Sequence, residues 1–297
     1  MKRVLVTGSE GFLGSHIAHA LRFNGFTVIG TRREGAAATQ SSLYEIVTLD
    51  LSHASFIESI DRVSPDAVIH AAAMADIRAC EQQPDLARAV NVEATAALAE
   101  WCRSRRARFV FISTDQVFDG GRSWYREDDA PNPIHVYGRT KADAEAAIDT
   151  LDSHNMIARV SLVYGGSPSG KRSATEQIIG MLRAGQQPQL FTDEFRTPIL
   201  AEDVASAIVE LMHMKSLPIM HLAGPDRVSR HELGNMVARA FRLDASLIVG
   251  CRQDDVVLQP PRPKDLSLDT TLARRVLRRP PRCLSDGLIA LTNHQPA

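Results

Sequence analysis

The stretch VLVTGSEGFLGSHIAHAL, Val4 to Leu21, decides the fold. A short apolar run leads into Gly8, and Gly11 and Gly14 follow at three-residue spacing before an amphipathic segment begins. Glycine in such a place permits a tight turn and a close backbone approach, and the helix beyond it presents unpaired N–H groups and partial positive charge to a phosphate. Three glycines so spaced are weak evidence alone, but between a strand and a helix they make a dinucleotide-binding turn. The reading assigns Gly8, Gly11, Phe12, Leu13 and Gly14 to a nicotinamide dinucleotide.

Outward from that turn, β-branched runs recur as RVLVTG, FTVIGTR, EIVTLDL, DAVIHAAA, RFVFIST and MIARVSLVYG. Continuous apolar strands alternating with amphipathic segments are what a parallel sheet covered on both faces requires. The spacing predicts helices over Gly11 to Asn24, Pro84 to Arg105, Tyr137 to Leu151 and Glu202 to Met214. The fold class expected is α/β, a Rossmann-type doubly wound parallel sheet with a smaller C-terminal substrate-binding lobe. Composition turns to GGSPSGKRS after Tyr164, and Ser229 with Glu232 in SRHE forms a capping box. We therefore expect residues 1–164 to bind the dinucleotide, with 199–224 returning to that unit, and 165–198 and 225–297 to form the lobe.

At 297 residues, 44% hydrophobic and 23% charged, the chain has the balance of an ordinary globular protein. It has no apolar run of the roughly 20 residues that span a bilayer. The start, MKRVLVTGSEG, meets its glycine turn too early for a signal peptide, so a cytoplasmic location is expected. Cys80, Cys102, Cys251 and Cys283 are widely separated and lack metal-ligand spacing, which suggests reduced, mostly buried thiols and no structural metal. Residues 225–297 hold twelve Lys/Arg and eight Asp/Glu, or +4, against 22 and 27, or -5, for residues 1–224. That division suits an anionic small molecule and argues against nucleic acid. RRVLRRPPR, Arg274 to Arg282, reads as a solvated helix face and turn.

The second strand ends in GTRRE, where Arg32 and Arg33 replace the acidic residue that would hold a ribose hydroxyl. Guanidinium groups there suit a 2′-phosphate, so the expected cofactor is NADP, with NADPH preferred over NADH. Asp50 and Leu51, after the third strand, are placed to read an adenine. Ala71, Ala72 and Ala73, after the fourth, are small enough for the cofactor backbone to pass.

Two further stretches carry chemistry. FISTDQVFDG, Phe111 to Gly120, runs from a buried strand into the polar ledge Ser113, Thr114, Asp115 and Gln116. VYGRTKADAE sets Tyr137 and Lys141 four residues apart, on one face of a helix. An ammonium beside a phenol favours the phenolate and lowers its pKa, and the same lysine can hold the nicotinamide ribose. Tyr137 then donates a proton to a carbonyl oxygen that Thr114 also hydrogen-bonds.

TGSEGFLG, HAAA, STDQVFDG, YGRTKADAE, EFRTPILAEDVA and RPKDLSLD together resemble an extended short-chain dehydrogenase/reductase, specifically the dTDP-4-dehydrorhamnose reductase family, over nearly the whole chain. The resemblance implies NADPH or NADH, a catalytic set Thr114, Tyr137 and Lys141, and reduction of a 4-keto group on a nucleoside-diphosphate deoxysugar. Gln116, Arg196, Arg262 and also Arg172 fall where the family meets its substrate. This sequence departs from the pattern at Met74, Ala75, Arg78, Gln116, Asp265 and Leu266. Related 4,6-dehydratases carry a glutamate at the position of Gln116, and an amide cannot titrate, which disfavours elimination. The resemblance also extends to the non-catalytic, NADP-binding β subunit of methionine adenosyltransferase, and a sugar-nucleotide 4-epimerase would keep the Tyr/Lys pair. A homodimer is a further family-level expectation, with no membrane partner.

Overall fold

The computed structural model describes residues 2–33, 43–170, 173–214 and 217–294. Strand β1 (Arg3–Thr7) enters the glycine turn, and α1 (Phe12–Phe23) leads back to β2 (Thr27–Arg32). Next come β3 (Glu45–Thr48), α2 (Phe56–Val63), β4 (Ala67–His70), α3 (Ile77–Gln82) and α4 (Pro84–Arg88). A π-helical turn, Ala89–Glu93, joins α4 to α5 (Ala94–Arg105), which precedes β5 (Arg108–Thr114), α6 (Val136–Ala146) and β6 (Asn155–Val160). The remaining elements are β7 (Val163–Tyr164), α7 (Ala174–Arg183), β8 (Gln189–Phe191), β9 (Phe195–Arg196), β10 (Ile199–Leu200), α8 (Ala201–Leu211) and β11 (Ile219–Leu222). The chain closes with β12 (Val228–Ser229), α9 (Arg230–Ala240), β13 (Val249–Cys251), α10 (Thr271–Val276) and α11 (Leu284–His294).

Seven strands form one parallel sheet in the order β11-β6-β5-β4-β1-β2-β3. The chain runs outward from β1 to β3 on one side and from β4 to β11 on the other, so the order reverses between β1 and β4. In such sheets ligands bind in the crevice at the carboxyl ends of the strands at that reversal. Because all seven strands are parallel, Gly8, Ala71 and the ledge after Thr114 lie along one edge. The Rossmann-type doubly wound sheet expected from the strand pattern is thus present.

Apolar residues on the two faces of the sheet explain its burial. Val4, Val6 and Ile69 pack with α1 and α8, while Leu5, Val68, Phe109 and Phe111 pack with α2 and α5. A separate cluster lies beyond the sheet, where Tyr164, Ile178, Leu182, Leu200, Leu233, Val237, Leu284 and Leu288 bring together α7, α9 and α11. Among the described residues no helix is long and apolar enough to cross a membrane.

Three of the expected elements differ in extent for an evident local reason. The helix expected over Tyr137 to Leu151 stops at Ala146. In the segment that follows, Asp149 Oδ1 accepts from Leu151 N (3.0 Å) and Asp152 Oδ1 from His154 N (2.9 Å), offering the backbone a turn in place of a helix. The expected helix over Pro84 to Arg105 contains the π-helical turn at Ala89–Glu93, a widening that often marks a functional region. The run MIARVSLVYG divides, with β6 in the main sheet and β7 paired to β10 outside it.

Candidate active site

At Gly8 the backbone has φ +67°, a conformation that favours glycine, and a Cβ there would lie 3.0 Å from the backbone of Ala72. A Cβ on Gly14 would meet the carbonyl oxygen of Gly8 at 2.1 Å, so α1 packs against the turn as only glycine allows. Gly11 caps α1 without a side-chain hydrogen bond, and the first turn, which includes Phe12 and Leu13, carries no acidic residue. Its N–H groups remain available to an anion.

Thr31 ties β2 to this turn by accepting from Gly8 N at 3.1 Å, while Ser9 Oγ donates to its carbonyl at 3.2 Å. Beyond it Arg32 Nε lies 3.2 Å from Glu10 Oε2, and Arg33 is exposed. Arg32 therefore sits beside the cradle, already facing a carboxylate. Asp50 Oδ1 accepts from Ser52 N and Oγ at 2.9 and 2.6 Å, which holds its carboxyl below the usual range, and Leu51 follows it half-buried.

Ala71, Ala72 and Ala73 leave β4 toward the same crevice, and Ala72 N donates to Thr7 Oγ1 at 3.1 Å. Beneath them His70 is wholly buried, with Nδ1 2.7 Å from Thr7 Oγ1 and Nε2 3.1 Å from Thr95 Oγ1. Burial pulls its pKa down to about 3, so the ring is neutral. Asn91, from the π-helical turn, accepts from Met74 N (2.8 Å) and donates to Met74 O and Thr140 Oγ1 (each 3.0 Å). One asparagine thereby fixes the Met74 loop against α6.

The polar ledge and the face of α6 meet. Tyr137 is half-buried, with its phenol close enough to the Thr114 side chain for that group to act on its pKa. Thr114 Oγ1 donates to Asp115 Oδ1 at 3.2 Å and accepts from Gln116 N at 3.2 Å. Burial pushes the Tyr137 phenol well above its ordinary value; the Thr114 side chain opposes the rise and the Asp115 carboxylate adds to it. The lysine does not bring the phenol down as the sequence suggests. Lys141 Nζ instead donates to Ile112 O at 2.7 Å, 3.8 Å from the centroid of the Phe111 ring. Burial, opposed by Glu145, brings its pKa to about 7.

One turn beyond Lys141 lies Glu145, a residue that the sequence reading passed over although the four-residue spacing continues through it. It is 6% exposed, accepts from Arg159 Nη2 at 2.7 Å and Nε at 3.1 Å, and takes a short bond from Ser113 Oγ. Ser113 is thus a link from the ledge into a buried ion pair.

The expected substrate arginines fare unequally. Arg196 is 4% exposed, with Nε 3.8 Å from Asp115 Oδ2, Nη2 3.4 Å from Glu194 Oε1, and Nη1 donating to Phe195 O at 2.8 Å. These contacts tie Arg196 to Asp115 of the ledge. Arg262 Nη1 is 3.7 Å from Glu194 Oε2, and Arg262 also lines a cavity of about 190 Å³ with Arg78 and Ile77. Asp265 pairs with Arg227 at 2.7 Å and Leu266 is fully buried, so both serve internal packing. Arg172 lies outside the described residues.

The profile of the RmlD substrate binding domain matches residues 1–295. The chain belongs to this family. Among its curated relatives, the probable low-salt glycan biosynthesis reductase Agl14 of Haloferax volcanii is 33% identical over 96% of each chain. The methionine adenosyltransferase 2 subunit β of Xenopus laevis is 30% identical over 90% of this chain and 80% of its own. A structure described as a hypothetical dTDP-4-dehydrorhamnose reductase from Sulfolobus tokodaii superposes with TM-score 0.83 at 31% identity, covering 96% of this chain and 98% of the other. The NADP complex of the dTDP-4-dehydrorhamnose reductase from Bacillus anthracis shares the fold over the full length of both chains, with TM-score 0.86 at 21% identity. The RmlD family and fold read from the motifs are borne out, and the expected oxidoreductase class agrees with these reductase relatives.

Proposed function

We propose that the chain is an NADPH-dependent reductase of a nucleoside-diphosphate 4-keto-deoxysugar. The observation that carries this reading is the convergence of Thr114 and Tyr137 on the sheet edge that also carries the glycine cradle. The cradle suits a dinucleotide, since the turn at Gly8, Gly11 and Gly14 leaves no room for side chains at Gly8 or Gly14 and leaves helix N–H groups uncapped. The bound nicotinamide supplies the hydride. Tyr137 gives a proton to the carbonyl oxygen, and its raised pKa keeps it protonated at neutral pH, as a donor must be. Thr114 hydrogen-bonds the same oxygen, Lys141 holds the cofactor ribose, and Gln116 faces the sugar.

Ala71, Ala72 and Ala73 border the cofactor, Asp50 and Leu51 its adenine, and Arg32 and Arg33 its 2′-phosphate. Arg262, more exposed than Arg196, meets the substrate diphosphate. Residues 1–164 and 199–224 form the cofactor-binding unit, and 165–198 with 225–297 the substrate lobe.

The test is to mix the protein with NADPH and a panel of 4-keto sugar nucleotides and follow loss of reduced-nicotinamide absorbance. Consumption matched by sugar reduction supports the reading. The methionine adenosyltransferase β relatives favour a second reading, a regulatory NADP-binding subunit, which would bind cofactor and consume none. A 4-epimerase would convert sugar without net consumption.

Two results are expected of the cofactor site. Arg32→Ala with Arg33→Ala weakens NADPH roughly 10- to 100-fold and NADH much less, because one charge-assisted phosphate contact is worth roughly 1.5–3 kcal/mol. Equal losses for both cofactors in a binding titration would remove the 2′-phosphate assignment. Cofactor affinity also falls as pH rises through about 7, where the Lys141 ammonium, depressed from its ordinary range, loses its proton. Lys141→Met removes this pH dependence; a titration from pH 6 to 9 that is flat in the wild type contradicts it.

A further inference from the structure

His135 immediately precedes α6 and caps it, with Nδ1 accepting from Gly138 N at 3.0 Å. A ring nitrogen that accepts a backbone N–H carries no proton, so the proton of the neutral ring resides on Nε2. That nitrogen is 2.9 Å from Gln116 Oε1 and is therefore the donor in the pair. An amide whose oxygen is occupied in this way turns its NH₂ group to the opposite side. No hydrogen bond within the protein involves Gln116 Nε2 among the described residues, and it is not among the buried unpaired atoms. Gln116 follows Thr114 by two residues, and the His135 ring that holds its amide also stacks on Tyr137, with centroids 6.2 Å apart.

We propose that His135 is a positioning residue that fixes Gln116 as a hydrogen-bond donor, so that the substrate bears an acceptor oxygen, not a protonated amine, next to the carbonyl reduced at Tyr137. The proposal rests on the reductase reading above and adds to it a class of sugar, one with a hydroxyl, carbonyl or ether oxygen at that carbon. Two ammonium or amide donors face to face leave both unpaired, which is how a built polar site rejects a near neighbour. His135 is 1% exposed, and burial holds its pKa below the ordinary value. Glu81 from α3 opposes that depression, while Arg139 on α6 and Arg196 on β9 add to it.

Asparagine also caps helices, so His135→Asn retains the cap and loses the contact to Gln116. Its melting temperature is expected to match the wild type, with KM for the sugar nucleotide raised roughly 5- to 10-fold and kcat altered less. Gln116→Met should raise KM by the same amount, and the double variant no further, since both changes remove one interaction. Nitrogen NMR of the wild type should show the Nε2–H tautomer at His135, and an amino sugar nucleotide should be turned over far less well than its hydroxyl counterpart. An unchanged KM in a stably folded His135→Asn protein, additive effects in the double variant, the Nδ1–H tautomer, or equal use of the amino sugar would each overturn the proposal. A wild type that consumes no NADPH with any sugar defeats the reductase reading instead, and the tautomer still decides whether His135 orients Gln116.

Discussion

Tyr137→Phe is expected to lower kcat by roughly 10²- to 10⁴-fold while cofactor affinity stays within a few-fold of the wild type. The substitution removes one oxygen from a half-buried ring and keeps its stacking on His135, whose centroid is 6.2 Å away. Thr114 Oγ1 keeps Asp115 Oδ1 and Gln116 N, each at 3.2 Å, so no buried polar atom is stranded. The loss should therefore be one of proton donation and not of folding. Single-turnover kinetics with saturating NADPH separate the two, since binding amplitude persists while the chemical phase slows. Activity within 10-fold of the wild type would mean that the proton comes from another group.

The raised pKa of Tyr137 sharpens this expectation. A phenol lowered by an adjacent ammonium would titrate near neutrality and serve oxidation as readily as reduction. Here burial dominates, and the ammonium is held on Ile112 O, one strand residue back from the ledge. The sequence shows that Tyr137 and Lys141 share a helical face; it does not show which backbone carbonyl the lysine reaches, because that depends on the depth at which α6 packs on β5. Gly138 sets that depth, since a Cβ there would lie 2.3 Å from Gln116 O.

The same contrast separates what was legible from what was not. The glycine turn was legible because its spacing is dictated by one local geometry, and the parallel strands because burial on both faces leaves a continuous apolar run. The roles of the arginines were not. Arg196 and Arg262 look alike in sequence, but Arg196 is 4% exposed against Asp115 and Glu194, a partner set drawn from elements far apart in the chain. His135 was missed for a related reason. A histidine before VYG reads as a loop residue until the cap at Gly138 and the amide of Gln116 fix both of its nitrogens.

Glu145→Gln is expected to destabilise the protein by about 3–5 kcal/mol, because it leaves Arg159 buried without its charge partner. Arg159 is 2% exposed, and of its remaining contacts one is the carbonyl of Glu127 at 3.3 Å and another the Phe118 ring, 5.1 Å from the guanidinium carbon. Neither supplies a full negative charge. At roughly 2–4 °C per kcal/mol, the melting temperature should fall by about 10 °C. Replacing both partners with apolar residues of similar size, Glu145→Leu with Arg159→Met, should recover most of that loss, since the cost lies in the unpaired charge and not in the absence of a bridge. The double variant should nevertheless act differently from the wild type. Ser113 loses its carboxylate acceptor, and Lys141 loses the anion that opposes its depression, so cofactor affinity should begin to fall at a lower pH. A double variant as unstable as Glu145→Gln would place the cost in packing, and an unmoved pH profile would separate Glu145 from Lys141.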